Sequence, residues 1–477
     1  MTIFWTLWII LEWSLRVLAV FVVPRNREPN SSIIWLLIIF AFPPVGFVIY
    51  LVFGFSSLPK HRCEDQATLS EQISELIKNS TLGKQINPPA KYRELVALAE
   101  TLTHLPLFAK NHLEPITGYQ AAIDTLVTDI NEARYYVHLE YYIIALDETT
   151  EPVIKALERA AKRGVTVRVL YDWYGTLKFK RRRELLKRLQ HSGISVASML
   201  PPTWPGRNYV RPDLRNHRKI AVIDGVISHT GSLNLIARNY HRRDNLVYDE
   251  LTLRLVGPIT LQLEGIFTTD WFVETGELIK DYNLTRRFDK TKYRESTAHV
   301  IPSGPGYDYD NNLKIITAAL YHARQSITIV NPYLVPEESL SQALISAAQR
   351  GITVTVINSE IKDQLLVAHA QRSYYEALLK AGVKIYLYRS PVLLHSKYLL
   401  IDDDMALVGS SNMDIRSFQL NHELSVITYD KNVVAQLQTI TDNYLRRTIF
   451  LDKNIWLSRP AHKKLLDNIA RLTSSIQ

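Results

Sequence analysis

The sequence predicts an α/β protein built from two similar halves that follow a short membrane-inserted segment. Two long apolar runs open the chain, strand and helix patterns alternate from about residue 118, and one motif occurs twice, at residues 217–234 and 395–412. Strands that are linked by helices form a parallel or mixed sheet with helices on its faces. A chain of 477 residues is long enough for two or three domains or for one large duplicated domain.

The overall composition limits the structural class of the protein and the kinds of molecule that it binds. Hydrophobic residues make up 47% and charged residues 22% of the chain, which is typical of a globular protein rather than a disordered one. The net charge of +9 favours an anionic partner, which is a nucleic acid, an acidic membrane surface or a phosphorylated substrate, although a merely basic surface fits equally well. The single cysteine, Cys63, excludes an intrachain disulfide and a zinc or iron–sulfur site made of cysteines.

Residues 1–55 are predicted to form a membrane hairpin with spans at about 3–23 and 33–53. Each run is 21 residues long, which matches the roughly 20 residues that a helix needs to cross the hydrocarbon core. Basic residues are equally frequent in the loop of the hairpin and after its second span, so the positive-inside rule does not fix the orientation.

Two details of these runs carry further expectations. Glu12 and Arg16 are four residues apart, so we expect them to pair on one helix face. Pro43 and Pro44 interrupt the second run and predict a kink or a re-entrant helix.

Two further segments flank the predicted halves. Residues 56–110 are polar with short helical patches and are predicted to be a linker that spaces the globular part from the membrane. Residues 446–477 are predicted to be an amphipathic segment. Its apolar residues at helical spacing are Leu465, Leu466, Ile469 and Leu472. Packing of this segment on the globular part is the favoured prediction, and contact with an anionic membrane surface is the alternative.

Residues 111–280 and 281–445 are predicted to be the first and the second half. In the first half a helix ends at Gly164 and a strand follows, and in the second half the same unit ends at Gly351. A whole strand–helix unit that recurs in both halves indicates duplication of a domain, not only of a motif.

The doubled motif has six fixed letters at identical spacing. The first copy contains His217, Lys219, Asp224, Gly231, Ser232 and Asn234, and the second copy contains His395, Lys397, Asp402, Gly409, Ser410 and Asn412. Residues two apart on a strand face the same side, so each histidine points with its lysine and each aspartate points away. We therefore expect the aspartates to brace the turn after the strand. We expect the glycine to allow close approach to a ligand, and the serine and asparagine to return to a bound phosphate.

Two such copies predict a phosphate site with two histidines and no need for a metal ion or a cofactor. One imidazole attacks phosphorus and forms a phosphohistidine, and the other protonates the leaving alcohol and then deprotonates the incoming one. Lysine and asparagine donors offset the charge that develops on phosphorus oxygens in the transition state.

The histidines need acidic partners that orient the imidazole rings. Glu250 follows His217 by 33 residues and Glu423 follows His395 by 28, and both begin similar strands. We predict Glu250 and Glu423 as the orienting groups. The alternatives for the first half are Asp244 and Asp249, and the alternative interpretation of each glutamate is a surface residue at a strand start.

The doubled H-x-K-x4-D pattern followed by G-S-x-N resembles the phospholipase D superfamily. Other phrases are similar to the bacterial cardiolipin synthases within it, namely Pro43–Gly54, Leu139–Ile144, Asn331–Pro336, Leu394–Tyr398 and Trp456–Pro460. The resemblance covers nearly the whole chain. It implies two phospholipase D-like α/β/α halves that pack about a pseudo-two-fold axis and share one active site.

The resemblance also implies a reaction in which two phosphatidylglycerol molecules give cardiolipin and glycerol. The catalytic set that it implies is His217, Lys219, Asp224, His395, Lys397 and Asp402. His217 would be the nucleophile and His395 the general acid, an order that the near symmetry of the halves leaves open. The sequence Tyr248-Asp249-Glu250 departs from the Trp-x-Asp of most relatives, but either carboxylate accepts the imidazole proton.

The expected partners are an anionic phospholipid substrate and a membrane, without nucleic acid, and the oligomeric state is not predicted. The expected location is the cell membrane, multi-pass, with a cytoplasmic catalytic domain. The alternatives are a phospholipase D that uses water, a related transferase with another acceptor alcohol, a phosphodiester nuclease and a non-catalytic binding relative. The two apolar runs argue against the nuclease, and the intact motifs argue against the non-catalytic relative.

Overall fold

The computed structural model describes most of the chain and divides it into two compact units. The described residues are 1–25, 29–54, 58–79, 86, 88–203, 209–240, 246–279, 296–308, 310–361 and 363–472. The first unit contains Met1–Lys60 and Pro202–Asp213, and the second contains His61–Pro201 and Leu214–Gln477.

The first unit contains three apolar helices, which are α1 (Thr2–Val22), α2 (Pro29–Ala41) and α3 (Pro43–Phe53). Within the described residues, α1 alone is both long and apolar enough to cross a membrane. The second apolar run is not one continuous helix, because Pro43 begins a new helix after Phe42 leaves the helical conformation. A Cβ on Gly46 would lie 2.7 Å from the carbonyl oxygen of Ile38, so glycine allows α3 to pack closely on α2.

The break at Phe42 corrects the expected single span over 33–53, since neither α2 nor α3 reaches the roughly 20 residues of a full span. The sequence signal for a kink at Pro43 is confirmed as a break in the helix. Glu12 and Arg16 form the expected ion pair on α1, with 3.2 Å between Oε2 and a guanidinium nitrogen.

The second unit holds the remaining elements. The first half and the residues before it contain α4 (Lys60–Asn79), a 3-10 turn (Ala90–Tyr92), α5 (Arg93–Thr103), β1 (Phe108–Thr117), α6 (Tyr119–Glu132), β2 (Tyr136–Tyr141), α7 (Glu151–Lys162), β3 (Thr166–Asp172), α8 (Trp173–Leu177), α9 (Arg182–His191), β4 (Ser195–Met199), β5 (Arg215–Asn216), β6 (Lys219–Ile223), β7 (Ile227–Gly231), β8 (Val247–Asp249), β9 (Leu251–Val256) and α10 (Thr260–Thr275).

The second half and the residues after it contain β10 (Ser296–Ser303), α11 (Asn311–His322), β11 (Ser326–Val330), β12 (Leu334–Val335), α12 (Glu338–Gln349), β13 (Thr353–Ser359), α13 (Leu365–Ala381), β14 (Lys384–Tyr388), β15 (Val392–Leu394), β16 (Tyr398–Ile401), β17 (Met405–Gly409), β18 (Met413–Asp414), α14 (Ile415–Gln419), β19 (Asn421–Thr428), α15 (Lys431–Leu445), β20 (Thr448–Phe450), α16 (Lys453–Leu457) and α17 (Ala461–Arg471). The predicted helix–strand units correspond to α7 with β3 and α12 with β13.

One large mixed sheet joins the two halves. Its order is β20-β14-β13-β11-β16-β17-β19-β10-β1-β9-β7-β6-β2-β3-β4, and β5 pairs with β19 beside this path. Outward from β1 the strands run β9, β7, β6, β2, β3, β4, and outward from β10 they run β19, β17, β16, β11, β13, β14. The strand pairs β2–β3 and β3–β4 are parallel, as are β11–β13 and β13–β14, whereas β1 pairs antiparallel with β10. The mixed α/β sheet that the sequence predicts is therefore present.

The predicted linker over 56–110 is wrong for much of its length, because its helices belong to the core. The apolar face of α4 buries Leu69, Ile73 and Ile77 in one hydrophobic cluster, and α5 buries Leu95 and Val96 in another. The polar average of the segment hides these amphipathic faces, each of which packs on the α/β unit.

The C-terminal segment packs on the second unit, as favoured, but not through its apolar residues at helical spacing. β20 pairs antiparallel with β14 at the sheet edge, and α17 lies against α13. The residues that α17 buries are Asp467 and Ala470. Its apolar residues Leu465, Leu466, Ile469 and Leu472 are exposed.

Candidate active site

The two motifs occupy equivalent strands of the sheet. Lys219 begins β6, and Lys397 immediately precedes β16. Each ammonium donates a hydrogen bond to the backbone carbonyl of the histidine two residues earlier, at 2.6 Å for Lys219 and 2.7 Å for Lys397. The histidine and lysine of each copy therefore stay together, as strand alternation predicts.

Each histidine is held by a glutamate from the other half of the chain. Nδ1 of His217 lies 2.8 Å from Oε1 of Glu423, and Nδ1 of His395 lies 2.8 Å and 2.9 Å from the two carboxylate oxygens of Glu250. Both glutamates are among the predicted residues. However, each contacts the histidine of the other half and not the histidine of its own half. Occupied Nδ1 atoms leave Nε2 of both rings as the nitrogens for chemistry.

Short parallel ladders cause this crossed arrangement. β5 pairs with β19, and the backbone N–H of His217 donates to the carbonyl of His422 at 2.8 Å. β8 pairs with β15, and the N–H of His395 donates to the carbonyl of Asp249 at 2.7 Å. Each histidine therefore lies beside the start of the glutamate strand of the other half.

The motif aspartates lie at the opposite ends of their strands from the histidines. The carboxylate of Asp224 accepts three backbone N–H groups, from residues 134–136, at 2.7–2.9 Å. Asp402 accepts the N–H groups of residues 324–326 and the ammonium of Lys91, which is 2.6 Å away. Both residues have a positive φ, 54° and 52°, a turn conformation that aspartate tolerates. The expected bracing of the turn matches these contacts.

The glycine–serine pairs contact the glutamate strands. A Cβ on Gly231 would lie 2.4 Å from the carbonyl oxygen of Leu251, and one on Gly409 equally close to that of Leu424. The close approach that requires glycine is therefore to a neighbouring strand, not to a ligand as expected. Ser232 exchanges hydrogen bonds with the backbone of Leu251. Ser410 does the same with Leu424, and its hydroxyl also donates to the carboxylate of Glu423.

The two motif asparagines are buried and carry unused hydrogen-bonding capacity. Oδ1 of Asn234 and Oδ1 of Asn412 have no hydrogen-bond partner among the residues that the structure describes. A buried amide without a partner is costly, so such a group is commonly found where a ligand completes its hydrogen bonds.

Burial and mutual charge set the protonation of this site. Burial lowers the pKa of His217 well below its usual value, and Lys219 and Lys397 lower it further. Burial also lowers the pKa of His395, against the opposing charge of Glu250. The pKa of Lys219 falls to about 7 and that of Lys397 to about 8, both through burial. These two cations and two imidazoles share one electrostatic environment.

The pKa values of the two glutamates shift in opposite directions. Burial raises the pKa of Glu423 to about 8, although Lys219 and Ser410 oppose the shift. Burial also acts to raise the pKa of Glu250, but the imidazole of His395 and the charge of Lys397 outweigh it, so the net pKa is lowered. Glu250 is therefore the more strongly ionised partner.

The structure describes one of the two first-half alternatives to Glu250. The carboxylate of Asp249 lies 3.5 Å from the hydroxyl of Tyr388, and only its backbone contacts His395. Asp244 lies outside the described residues.

Several groups around the histidines are not among the predicted site residues. The rings of Tyr142 and Tyr248 lie edge-on to His217 and His395, with centroids 5.2 Å and 5.4 Å apart. Arg218, between the motif histidine and lysine, is fully buried and pairs with Asp270. Strand alternation signals that Arg218 faces away from the site, and a charge inside a buried strand signals that it needs a partner.

Comparisons with known proteins agree with this geometry. A family model described as "Cardiolipin synthase, PLD-like domain" matches residues 126–271 and 316–445, and one described as "Phospholipase_D-nuclease N-terminal" matches residues 15–54. Cardiolipin synthase A of Klebsiella pneumoniae subsp. pneumoniae is 32% identical over 455 residues, which cover 93% of this chain and 92% of that protein. Cardiolipin synthase A of Escherichia fergusonii is 32% identical over 454 residues, with the same coverage.

Solved structures show the same fold at low sequence identity. Phosphatidylserine synthase of Haemophilus influenzae Rd KW20 aligns with a TM-score of 0.60 at 14% identity, over 80% of this chain and 100% of that chain. Polyphosphate kinase of Porphyromonas gingivalis aligns with a TM-score of 0.50, also at 14% identity, over 77% of this chain and 53% of that chain. From the matched family model and the near full-length relatives, the chain belongs to the cardiolipin synthases with phospholipase D-like domains.

Proposed function

We propose that the chain joins two phosphatidylglycerol molecules into cardiolipin and glycerol through a phosphohistidine on His217. Membership of the family makes it an enzyme that transfers phosphatidyl groups. The observation that carries the proposal is the pair of crossed histidine–glutamate contacts with two lysines in one buried site. Exchange of one phosphodiester for another conserves the type of bond, so the reaction needs no nucleotide.

The proposed reaction has two displacements at phosphorus. Nε2 of His217 attacks the phosphorus of the first lipid. The bond between that phosphorus and the oxygen of the headgroup glycerol breaks, and His395 gives this oxygen a proton. A hydroxyl of the second phosphatidylglycerol then attacks the phosphohistidine, His395 takes the proton, and the phosphorus–nitrogen bond breaks. His395 thus ends in its starting protonation state.

The difference in ionisation between Glu423 and Glu250 supports His217 as the nucleophile and His395 as the general acid. A nucleophile needs a neutral imidazole, and the pKa of His217 is lowered well below its usual value by burial and the two lysines. A general acid needs an imidazolium. Burial lowers the pKa of His395 as well, but the ionised Glu250, whose carboxylate contacts Nδ1, opposes that shift.

The remaining motif residues divide into two tasks. We assign Lys219, Lys397, Asn234 and Asn412 to the phosphate oxygens, since the two ammonium groups and the Nδ2 groups of the two amides are hydrogen-bond donors. Ser232 and Ser410 hold the glutamate strands, so we assign them to positioning of the carboxylates rather than to phosphate. Asp224 and Asp402 support the turns.

We further propose that the halves are related by a pseudo-two-fold axis and that residues 1–55 anchor the enzyme as a multi-pass hairpin. The matching strand orders on either side of β1 and β10 support the axis, and α1 with the apolar α2 and α3 supports the anchor. The catalytic domain would be cytoplasmic, at the cell membrane. A membrane-impermeant thiol reagent should then label Cys63 in permeabilised cells only, and labelling in intact cells would exclude this orientation.

Purified full-length protein with labelled phosphatidylglycerol tests the reaction. We expect cardiolipin and glycerol in equal amounts. Phosphatidic acid as the sole product would show that the enzyme is a hydrolase and not a synthase. With a phosphatidyl ester of nitrophenol, whose leaving group needs no proton, the phosphohistidine should accumulate in His395→Ala and be absent in His217→Ala. The reverse pattern would exchange the two roles. The matched control is His191→Ala, which removes an exposed histidine of α9 and should leave activity unchanged.

A further inference from the structure

The end of the C-terminal helix α17 and the start of α13 together present an apolar strip to the outside of the second unit. The strip consists of Leu365, Leu366, Leu465, Leu466, Ile469 and Leu472, which are 52–75% exposed. Contiguous apolar patches of this kind are uncommon on soluble proteins and mark interaction surfaces.

Contacts between α13 and α17 place the two groups of leucines at neighbouring helix ends. Lys464 reaches Glu376 at 3.5 Å, and Asp467 binds Nδ1 of His369 at 2.8 Å. Further along α17, Ala470 packs in one cluster with Val367. The helices are therefore antiparallel, and the C-terminal end of α17 lies beside the start of α13, which carries Leu365 and Leu366.

The charges around the strip identify the kind of surface that it fits. On the helical wheel of α17, Lys463 lies on one side of the leucines, and Lys464 and Arg471 lie on the other. The acidic residue of α17, Asp467, is buried and bound by His369 and Arg459. Exposed leucines flanked by cations match the interface of an anionic bilayer, where apolar side chains enter the acyl boundary and cations meet the headgroups.

The strip adjoins the region of His395. Ala470 packs with Tyr333, whose hydroxyl binds Asp363, two residues before the strip begins. The other carboxylate oxygen of Asp363 lies 3.2 Å from the hydroxyl of Tyr248, the ring that packs against His395. A surface held against this strip would therefore lie near the proposed general acid.

We propose that the strip is a membrane-docking surface that inserts into an anionic phospholipid bilayer, in addition to the N-terminal helices. Docking here would present the lipid headgroups close to the catalytic histidines, a consequence that rests on the proposed function. The docking itself does not.

Lipid-based quenching in the full-length protein tests the docking. A Cys63→Ser background with Leu466→Cys carries a fluorophore, and the matched control carries it at Gln342→Cys, an exposed site on α12. In vesicles of phosphatidylcholine with phosphatidylglycerol and spin-labelled lipid, we expect severalfold stronger quenching at position 466 than at position 342. We expect the difference to shrink when phosphatidylglycerol is omitted. Equal quenching at both positions would overturn the proposal, as would a concentration-dependent spectral shift without lipid quenching, which indicates a second copy of the chain.

A kinetic comparison separates this surface from the catalytic site. Leu466→Glu with Ile469→Glu should lower transfer between long-chain lipids in vesicles about tenfold or more, but leave transfer between soluble short-chain phosphatidylglycerols unchanged. Gln342→Glu with Gln349→Glu adds the same charge to α12 and should change neither rate. An equal loss on both substrates would contradict docking. Absence of transfer by the unmodified enzyme would contradict the proposed function and leave the quenching result intact.

Discussion

At the scale of single residues, the crossed contacts mean that each glutamate serves the histidine of the other half. Glu423 contacts His217, and Glu250 contacts His395. Loss of the carboxylate that orients a catalytic imidazole lowers turnover by up to about 10⁴-fold, because the wrong tautomer prevails. We expect Glu423→Gln and Glu250→Gln each to lower transfer on the order of 10²- to 10⁴-fold, measured as initial rates of cardiolipin formation.

An activated leaving group distinguishes the two variants. A phosphatidyl ester of nitrophenol leaves without a proton, so it relieves the need for the general acid. Glu250→Gln should regain most of its rate of phosphohistidine formation with this substrate, and Glu423→Gln should not. If each glutamate served its own half, the recovery would be seen in Glu423→Gln instead.

The buried charges predict a narrow pH optimum. Glu423, with a pKa of about 8, ionises as pH rises and orients His217 better, whereas Lys219, with a pKa of about 7, and Lys397, at about 8, lose the charge that binds phosphate. We expect a bell-shaped profile of kcat/KM, whose alkaline limb also contains the loss of the His395 imidazolium, because burial lowers the pKa of His395. Glu423→Gln should remove the acidic limb and keep the alkaline one. A rate that still rises above pH 9 would contradict the role of the lysines.

At the scale of elements, the motif aspartates fix the turn at the far end of a motif strand. Asp402 accepts three backbone N–H groups and the ammonium of Lys91, and these bonds outweigh the effect of burial, so its pKa is lowered. We expect Asp402→Asn to lower the free energy of unfolding by about 1–3 kcal/mol. The kcat per folded molecule should stay near that of the unmodified enzyme. Asparagine is the chosen replacement because it tolerates the positive φ of this position.

The neighbouring Asp403 is exposed and supplies the control, since Asp403→Asn should change the free energy of unfolding by less than about 0.5 kcal/mol. The carboxylate of Asp402 stabilises the fold above its unfolded pKa of roughly 4, and this contribution is lost as pH falls through the lower folded value. The difference between Asp402→Asn and the unmodified protein should therefore shrink below about pH 4, as measured by denaturant unfolding. A loss of kcat with unchanged stability would instead place Asp402 in the chemistry.

Elements with a strong period were predictable, and elements without one were not. The aliphatic composition of 219–224 and 397–402 predicts both motif strands, and the two-residue period of a strand predicts the opposed faces of lysine and aspartate. The crossing of the glutamates depends on β5 and β8, strands of two and three residues that are too short to carry a period. Likewise, α4 is polar on average, and only its contacts show that its apolar face completes the core.

At the scale of the whole molecule, one sheet is continuous through both halves and brings the two motifs of the candidate site together. β1 pairs with β10, and β5 pairs with β19, so the two motifs meet through backbone ladders within the second unit. Neither half can hold its own histidine in place, since each depends on the glutamate of the other. This dependence predicts the behaviour of mixed variants.

A mixture of His217→Ala and His395→Ala chains should show no more transfer than the two variants measured separately. An intact pair of histidines exists only within one chain, and separate copies would have to exchange a strand from the middle of the sheet to rebuild it. The measurement compares cardiolipin formation by co-expressed and by separately purified variants. A chain that carries both substitutions is the inactive control. Recovery of a quarter or more of the unmodified rate in the co-expressed sample would show that two copies share their halves. The crossed glutamate contacts would then connect partner chains rather than the two halves of one.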